Sequence, residues 1–352
     1  MRKIKKSVLQ MNDYSVPQGF NRIKLNQNES PLDIPFSVKK EICNRLKKIP
    51  WNRYPPAVPQ SLVEKLSEYS SFPSENIGVG NGSNELIQTL IYSCCDSGDT
   101  ITVVKPGFSV YKRVAGLMDI QVHEVPLDED FQFNEKNIIE KSQGSRLTIL
   151  ASPNNPTGTL LKTPQAEEIS QKIPGILVVD EAYFEFCKDS VFPLVSRRDN
   201  VWVLRTFSKA LGLAGIRLGY LLAPAGVVKE LFKAKLPFST GVFQLLAGEV
   251  VLENPDFISR NVDLIVKERE RVYREIEKMP DVFPVPSEAN FILFESSRIP
   301  GKRLYERLYE EGVVLRYFDV PKLKNKLRVT VGKPPENDFF LEKLSRIVKE
   351  EK

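Results

Sequence analysis

Histidine is almost missing from this sequence: among 352 residues, His123 is the only one. A Ser-His-Asp triad or a histidine metal site then has at most one imidazole to draw on, which argues against both. The strand-like IQVHEV around it reads as structural. Cysteine is scarce too. Cys43, Cys94, Cys95 and Cys187 lack metal-ligand spacing and read as filler in a reducing cytoplasm. No metal is expected. No apolar run approaches the length of a membrane span. The basic start, MRKIKK, has no apolar stretch behind it and is not read as a signal peptide. Charge of one sign is also lacking: 50 basic against 45 acidic residues leave a net charge of +5. So small and dispersed an excess is no nucleic-acid footprint, although it mildly favours anionic small molecules. The expectation is a cytoplasmic protein acting on small molecules, with neither nucleic acid nor membrane as partner.

What is present is alternation. Between residues 100 and 205, apolar runs (TITVV, IQVHEV, RLTILAS, ILVVDEAY, VWVLR) are separated by amphipathic segments. Continuous apolar strands between helices predict an α/β fold, with a mostly parallel sheet flanked by helices. From residue 282 the texture changes to short strands (VFPVP, NFILFE, GVVLRYF, KLRVTVG) with helices between and after them, which predicts a smaller α+β domain. The organisation expected is an irregular N-terminal arm (1–35), a large domain (36–265) and a small domain (266–352).

In such sheets, ligands bind beyond the carboxyl ends of the strands, and the chemistry-bearing residues fall there. VWVLR runs directly into Thr206, Ser208 and Lys209, with Arg217 eight residues further on. A lysine held in a pocket that lowers its pKa can attack a carbonyl. Two hydroxyls and a guanidinium beside it are the donors that a phosphate monoester needs. That pairing suggests a lysine Schiff base beside a phosphate cup, the arrangement for pyridoxal phosphate. Other strand ends deliver Phe108, Asn155 in SPNNPTG, and Asp180 with Tyr183. An aromatic face, donors for a phenolate and a carboxylate for a ring nitrogen suit the same cofactor. Singly, each has a plainer explanation: Phe108 in the core, Asn155 in a turn, Asp180 at a helix start. Upstream, the strand Ile77–Val79 meets Gly80-Asn81-Gly82-Ser83-Asn84, where glycines and a helix start attract an anion; Ser83 is a natural N-cap. Asn28 lies in a polar stretch of the arm that can line a site or simply turn. Arg328 interrupts an apolar strand and needs an anionic partner, either a substrate carboxylate or a buried ion pair.

ASPNNPTG, VVDEAYFEF, RTFSKALGLAGIRLGY and KLRVTVG resemble the fold-type I pyridoxal-phosphate aminotransferases. Within them, KLNQNESP, NRYPP, GNGSNELI, PFSTGV and VVLR are most similar to the histidinol-phosphate aminotransferases. The resemblance implies roles position by position. Lys209 would carry the cofactor and move the Cα proton, while Asp180 pairs with the ring nitrogen. Asn155 and Tyr183 would contact the phenolate, and Phe108 would stack on the ring. Ser83, Asn84, Thr206, Ser208 and Arg217 would hold the phosphate. Tyr54 would reach the neighbouring subunit's cofactor, implying a homodimer with shared sites. Arg328, with Arg316, Tyr14 and Asn28, would bind substrate. The activity implied is transamination between histidinol phosphate and 2-oxoglutarate. An aromatic or other amino-acid aminotransferase is the near alternative. A lyase decarboxylating threonine phosphate and a non-catalytic ligand-sensing domain are further ones.

Overall fold

A computed structural model describes residues 3–11, 13, 22–187 and 189–351. In chain order the strands of its first part are β1 (Ile23–Lys24), β2 (Ile77–Gly80), β3 (Thr100–Lys105), β4 (Gln121–Pro126), β5 (Leu147–Ala151), β6 (Ile176–Asp180), β7 (Val201–Thr206) and β8 (Gly219–Leu222). Seven of them form one sheet in the order β2-β8-β7-β6-β5-β3-β4. The strands from β7 to β4 run parallel, and only β8 opposes its neighbours.

The unbroken apolar runs follow from burial on both faces. Successive strand residues point to opposite sides of a sheet. In β6, Leu177 and Val179 join the core on one face and Val178 the core on the other, all fully buried. Helices Phe36–Leu46, Gln60–Ser70 and Val242–Leu252 close the first face; Gly82–Cys94, Ser109–Leu117 and Ala225–Leu231 close the second. The parallel strands therefore all present their carboxyl ends to one edge of the sheet, as the alternation predicted.

The remaining strands are β9 (Val282–Pro284), β10 (Phe291–Ser296), β11 (Val313–Val314), β12 (Arg316–Tyr317) and β13 (Lys326–Thr330). Four make an antiparallel sheet, β12-β13-β10-β9, and β11 pairs in parallel with β1. This unit has its own core, built from Ile292, Phe294, Leu327 and Val329 against helices Gly301–Glu310 and Pro334–Glu350. The single helix Pro255–Glu277 runs through the division placed after residue 265, and its Val272 and Ile276 belong to the second core. The arm is less irregular than the sequence implied. Leu25 is buried in that second core, and β1 takes up backbone hydrogen bonds that β11 would otherwise leave open. No helix among the described residues is long and apolar enough to cross a membrane.

Candidate active site

The strand ends open into a cavity of about 730 Å³. Every predicted site residue among the described ones lines it except Tyr54. Tyr14 lies outside the described residues. Tyr54 stands 82% exposed and stacked on Phe238, with ring centroids 4.7 Å apart.

Lys209 follows β7. Its ammonium donates to the backbone carbonyl of Gln27 at 3.0 Å. Burial, reinforced by the nearby Arg328 and Arg217 cations, pushes its pKa down to about 7. A large share of the amine is therefore neutral at physiological pH, the form that attacks carbonyl carbon. Asp180, at the end of β6, is 4% exposed. Its Oδ2 accepts from the Tyr111 hydroxyl at 2.8 Å and its Oδ1 from the Ala182 N–H at 3.2 Å. Burial raises its pKa to about 6, and the two donors oppose that rise.

Tyr183 is held between two amides. Its hydroxyl oxygen accepts from Asn28 Nδ2 at 2.9 Å and from Asn155 Nδ2 at 3.2 Å. The amide orientations follow from the partners. Arg328 donates to Asn155 Oδ1 at 2.5 Å, and a guanidinium has nothing to accept with, so Asn155 must turn its NH₂ toward Tyr183. Arg328 also donates to the Asn26 carbonyl at 2.9 Å and lies 5.1 Å from the ring centroid of Phe291. Arg316 pairs with it across β12 and β13, and both guanidiniums lie 5.6 Å from the centroid of Phe318. Two cations and an aromatic thus share the small-domain side of the cavity.

Another part of the lining is a cup of small residues and donors. Arg217 donates to Ser208 Oγ at 3.1 Å, and Thr206 Oγ1 accepts from the Ser208 N–H at 3.1 Å. Two glycines make the cup possible. A Cβ on Gly82, whose φ is +75°, would stand 2.6 Å from the Arg217 guanidinium. A Cβ on Gly219 would meet the Ser83 N–H nitrogen at 2.5 Å, so β8 and the helix Gly82–Cys94 can approach only without side chains there. Ser83 is not the N-cap. The helix starts two residues earlier than a Ser83 cap would place it, with Asn81 as its N-cap, and Glu85 reaches back to accept from the Asn81 N–H at 2.6 Å. That leaves Ser83 and Asn84 lining the cavity from the first turn.

Two features were not read from the sequence. Tyr111 is three residues beyond Phe108, in the same helix start, and its ring packs edge-on to Phe108 at 5.5 Å; that helical spacing was the available signal. The other is a buried ion pair behind the site: Arg205 donates to Glu181 at 2.9 and 3.0 Å, the two side chains being 5% and 1% exposed. Ser190 adds a hydroxyl to the same carboxylate, and Phe184 covers the guanidinium at 3.6 Å. The pair ties Glu181 to Arg205, the chain neighbours of Asp180 and Thr206. Arg205→Ala leaves Glu181 buried and uncompensated, so we expect a loss of about 3–5 kcal/mol in urea unfolding. A loss below about 1 kcal/mol would mean the pair adds little.

The fold and the cavity are those expected of a pyridoxal-phosphate-dependent aminotransferase, and the comparisons with known proteins bear that class out. The sequence profile described as aminotransferase class I and II matches residues 21–344, and the chain belongs to that family. It is 38% identical over 334 residues to the histidinol-phosphate aminotransferase of Thermococcus gammatolerans, covering 95% of this chain and 94% of that one. The Pyrococcus furiosus protein of the same name is 38% identical over 344 residues, covering 97% of both. In structure, the histidinol-phosphate aminotransferase from Sinorhizobium meliloti, solved with pyridoxal 5'-phosphate, superposes with a TM-score of 0.90 at 21% identity, covering 99% of this chain and 98% of that one.

Proposed function

We propose that the chain transfers an amino group between histidinol phosphate and 2-oxoglutarate, using pyridoxal 5'-phosphate, as a cytoplasmic homodimer. The residues fit the cofactor: a lysine with a lowered pKa, a buried carboxylate and a donor cup sealed by two glycines share one cavity. When bound, the cofactor supplies an electron-accepting ring that stabilises negative charge at the carbon bearing the amino group. Lys209, with its neutral amine, would hold the cofactor and carry the proton to and from the substrate Cα. Asp180 would keep the ring nitrogen protonated. Asn155 and Tyr183 would donate to the phenolate oxygen, Phe108 would cover the ring, and Ser83, Asn84, Thr206, Ser208 and Arg217 would hold the phosphate.

The observation that carries the substrate is the pair of guanidiniums, Arg316 and Arg328, that line the same cavity as Lys209. One anion pocket then serves both partners: the side-chain carboxylate of glutamate and the phosphate of histidinol phosphate. Asn28 acts at one remove, by orienting Tyr183. The chain's near full-length identity to proteins named histidinol-phosphate aminotransferase supports the same choice. The test is purified protein given glutamate and imidazole-acetol phosphate, with 2-oxoglutarate measured. Turnover no better with that phosphate than with phenylpyruvate would sink the substrate assignment. Arg328→Ala is expected to lower kcat/KM roughly 10- to 100-fold, mostly through KM for the anionic partners. Arg328→Lys should recover little, because a point charge does not reproduce the planar fork. Unchanged KM values would remove Arg328 from the pocket.

The dimer is supported by Tyr54. It stands exposed and stacked on Phe238, and Trp51 packs on Phe243, also exposed. Exposed aromatic pairs of that kind suit an interface. A two-fold partner lets Tyr54 serve the neighbouring site. The division into an arm (1–35), a large domain (36–265) and a small domain (266–352) is part of the same reading, supported by the separate sheets and cores.

A further inference from the structure

The carboxylate that would face the cofactor ring is not left to itself. Burial by itself pushes Asp180 toward its neutral form, since desolvation disfavours the charged carboxylate. The neighbouring Glu181 pushes the same way, while the Lys209 cation, the Ala182 N–H and the Tyr111 hydroxyl oppose it. Of these, Tyr111 makes the shorter hydrogen bond and comes from a different part of the chain, 69 residues away. Its side chain is 2% exposed within an apolar cluster that includes Ile101, Val103 and Ile149. An apolar residue would fill that space without burying a hydroxyl, which costs free energy unless bonded. The hydroxyl keeps its proton, because burial and the adjacent carboxylate hold its pKa well above the ordinary tyrosine value. It is therefore a donor and cannot compete for the ring nitrogen's proton.

We propose that Tyr111 is a positioning residue, whose hydroxyl keeps Asp180 ionised and oriented so that the cofactor ring stays cationic. The inference rests on the pyridoxal-phosphate reading above. Each Asp180 oxygen carries one protein donor, which fixes the plane of the carboxylate and leaves acceptor capacity for a ring N–H. The helix start that places Phe108 at the cavity also places Tyr111 on Asp180, so one turn of chain sets both ring contacts. With Tyr111→Phe the packing against Phe108 remains and only the hydroxyl goes. Asp180 then drifts toward its neutral form, and the shared proton moves from the ring nitrogen to the carboxyl group. A ring that loses its positive charge holds the cofactor's other acidic groups less tightly, so they titrate at higher pH.

The experiment uses the loaded enzyme. Wild type, Tyr111→Phe and Tyr111→Leu are reconstituted with ring-¹⁵N-labelled pyridoxal phosphate, as is protein carrying 3-fluorotyrosine at position 111. Two readouts are followed: the ¹⁵N shift of the ring nitrogen and the pH midpoint of the visible absorption band. In Tyr111→Phe the midpoint should rise by about one unit and the nitrogen signal should move toward its unprotonated position. Turnover should fall about tenfold. The fluorinated residue keeps the shape and strengthens the donor, so its midpoint should move down. A Tyr111→Phe enzyme with the wild-type midpoint and ¹⁵N shift overturns the proposal. So does a fluorinated enzyme with an unmoved midpoint, which decides the matter if Tyr111→Phe does not fold. Loss confined to Tyr111→Leu would make Tyr111 a packing residue. A wild-type protein that takes up no cofactor overturns the functional reading, and this inference with it, before any variant is compared.

Discussion

Lys209→Ala is expected to lower turnover roughly 10⁴-fold or more while leaving the fold intact. In the proposed function two tasks would fall to one amine: covalent attachment of the cofactor and proton transfer at the substrate Cα. Proton transfer by a positioned side chain alone contributes about 10²- to 10⁴-fold, and losing the covalent link adds to that. Folding should tolerate the change. The amine donates to a backbone carbonyl, that of Gln27, and burying the cation is unfavourable in any case, as its lowered pKa shows. The variant's thermal midpoint should therefore equal or exceed that of wild-type apoprotein. Activity assays with glutamate and circular dichroism on the same samples check both halves. A variant retaining a tenth of wild-type turnover would place the chemistry elsewhere.

Asp180→Asn is expected to lower kcat roughly 10²- to 10³-fold, with cofactor content largely kept. The asparagine side chain has nearly the same shape but carries no charge, so nothing holds the ring nitrogen's proton. The proposed phosphate cup around Arg217 and Ser208 is untouched and should still bind. Loss in kcat with little change in cofactor occupancy is therefore the signature. Asp180→Ala should lose more, because it also strands the Tyr111 hydroxyl in an apolar cluster. Turnover within about threefold of wild type in Asp180→Asn would exclude an electrostatic role for this residue.

The parallel sheet and the strand-end placement of Phe108, Asn155, Asp180 and Lys209 were legible in the sequence. Burial on both faces forces continuous apolar runs, and these mark where strands stop. The donors around those residues were not legible, for a physical reason. Asn28 meets Thr330 across 302 residues of chain and Tyr183 across 155, and the arm offers carbonyls at Asn26 and Gln27 that any residue type would supply. Backbone acceptors leave no mark on composition. The arm's strand pairing was hidden likewise, since two residues paired with Val313 and Val314 carry no periodicity. Ser83 was misplaced as a cap because the helix already begins at Gly82, two residues early, with Glu85 accepting from the Asn81 N–H from within the helix. Arg205 and Glu181 each abut a residue that was recognised, yet their pairing depends on neighbouring strands whose order the sequence did not reveal.

The central claim is that one enclosed amine, residue 209, carries the cofactor. Purified protein incubated with pyridoxal phosphate, reduced with borohydride and digested should yield a single phosphopyridoxyl-labelled peptide, spanning Thr206 to Arg217 and modified at Lys209. Label on surface lysines alone, or none at all, would contradict the account.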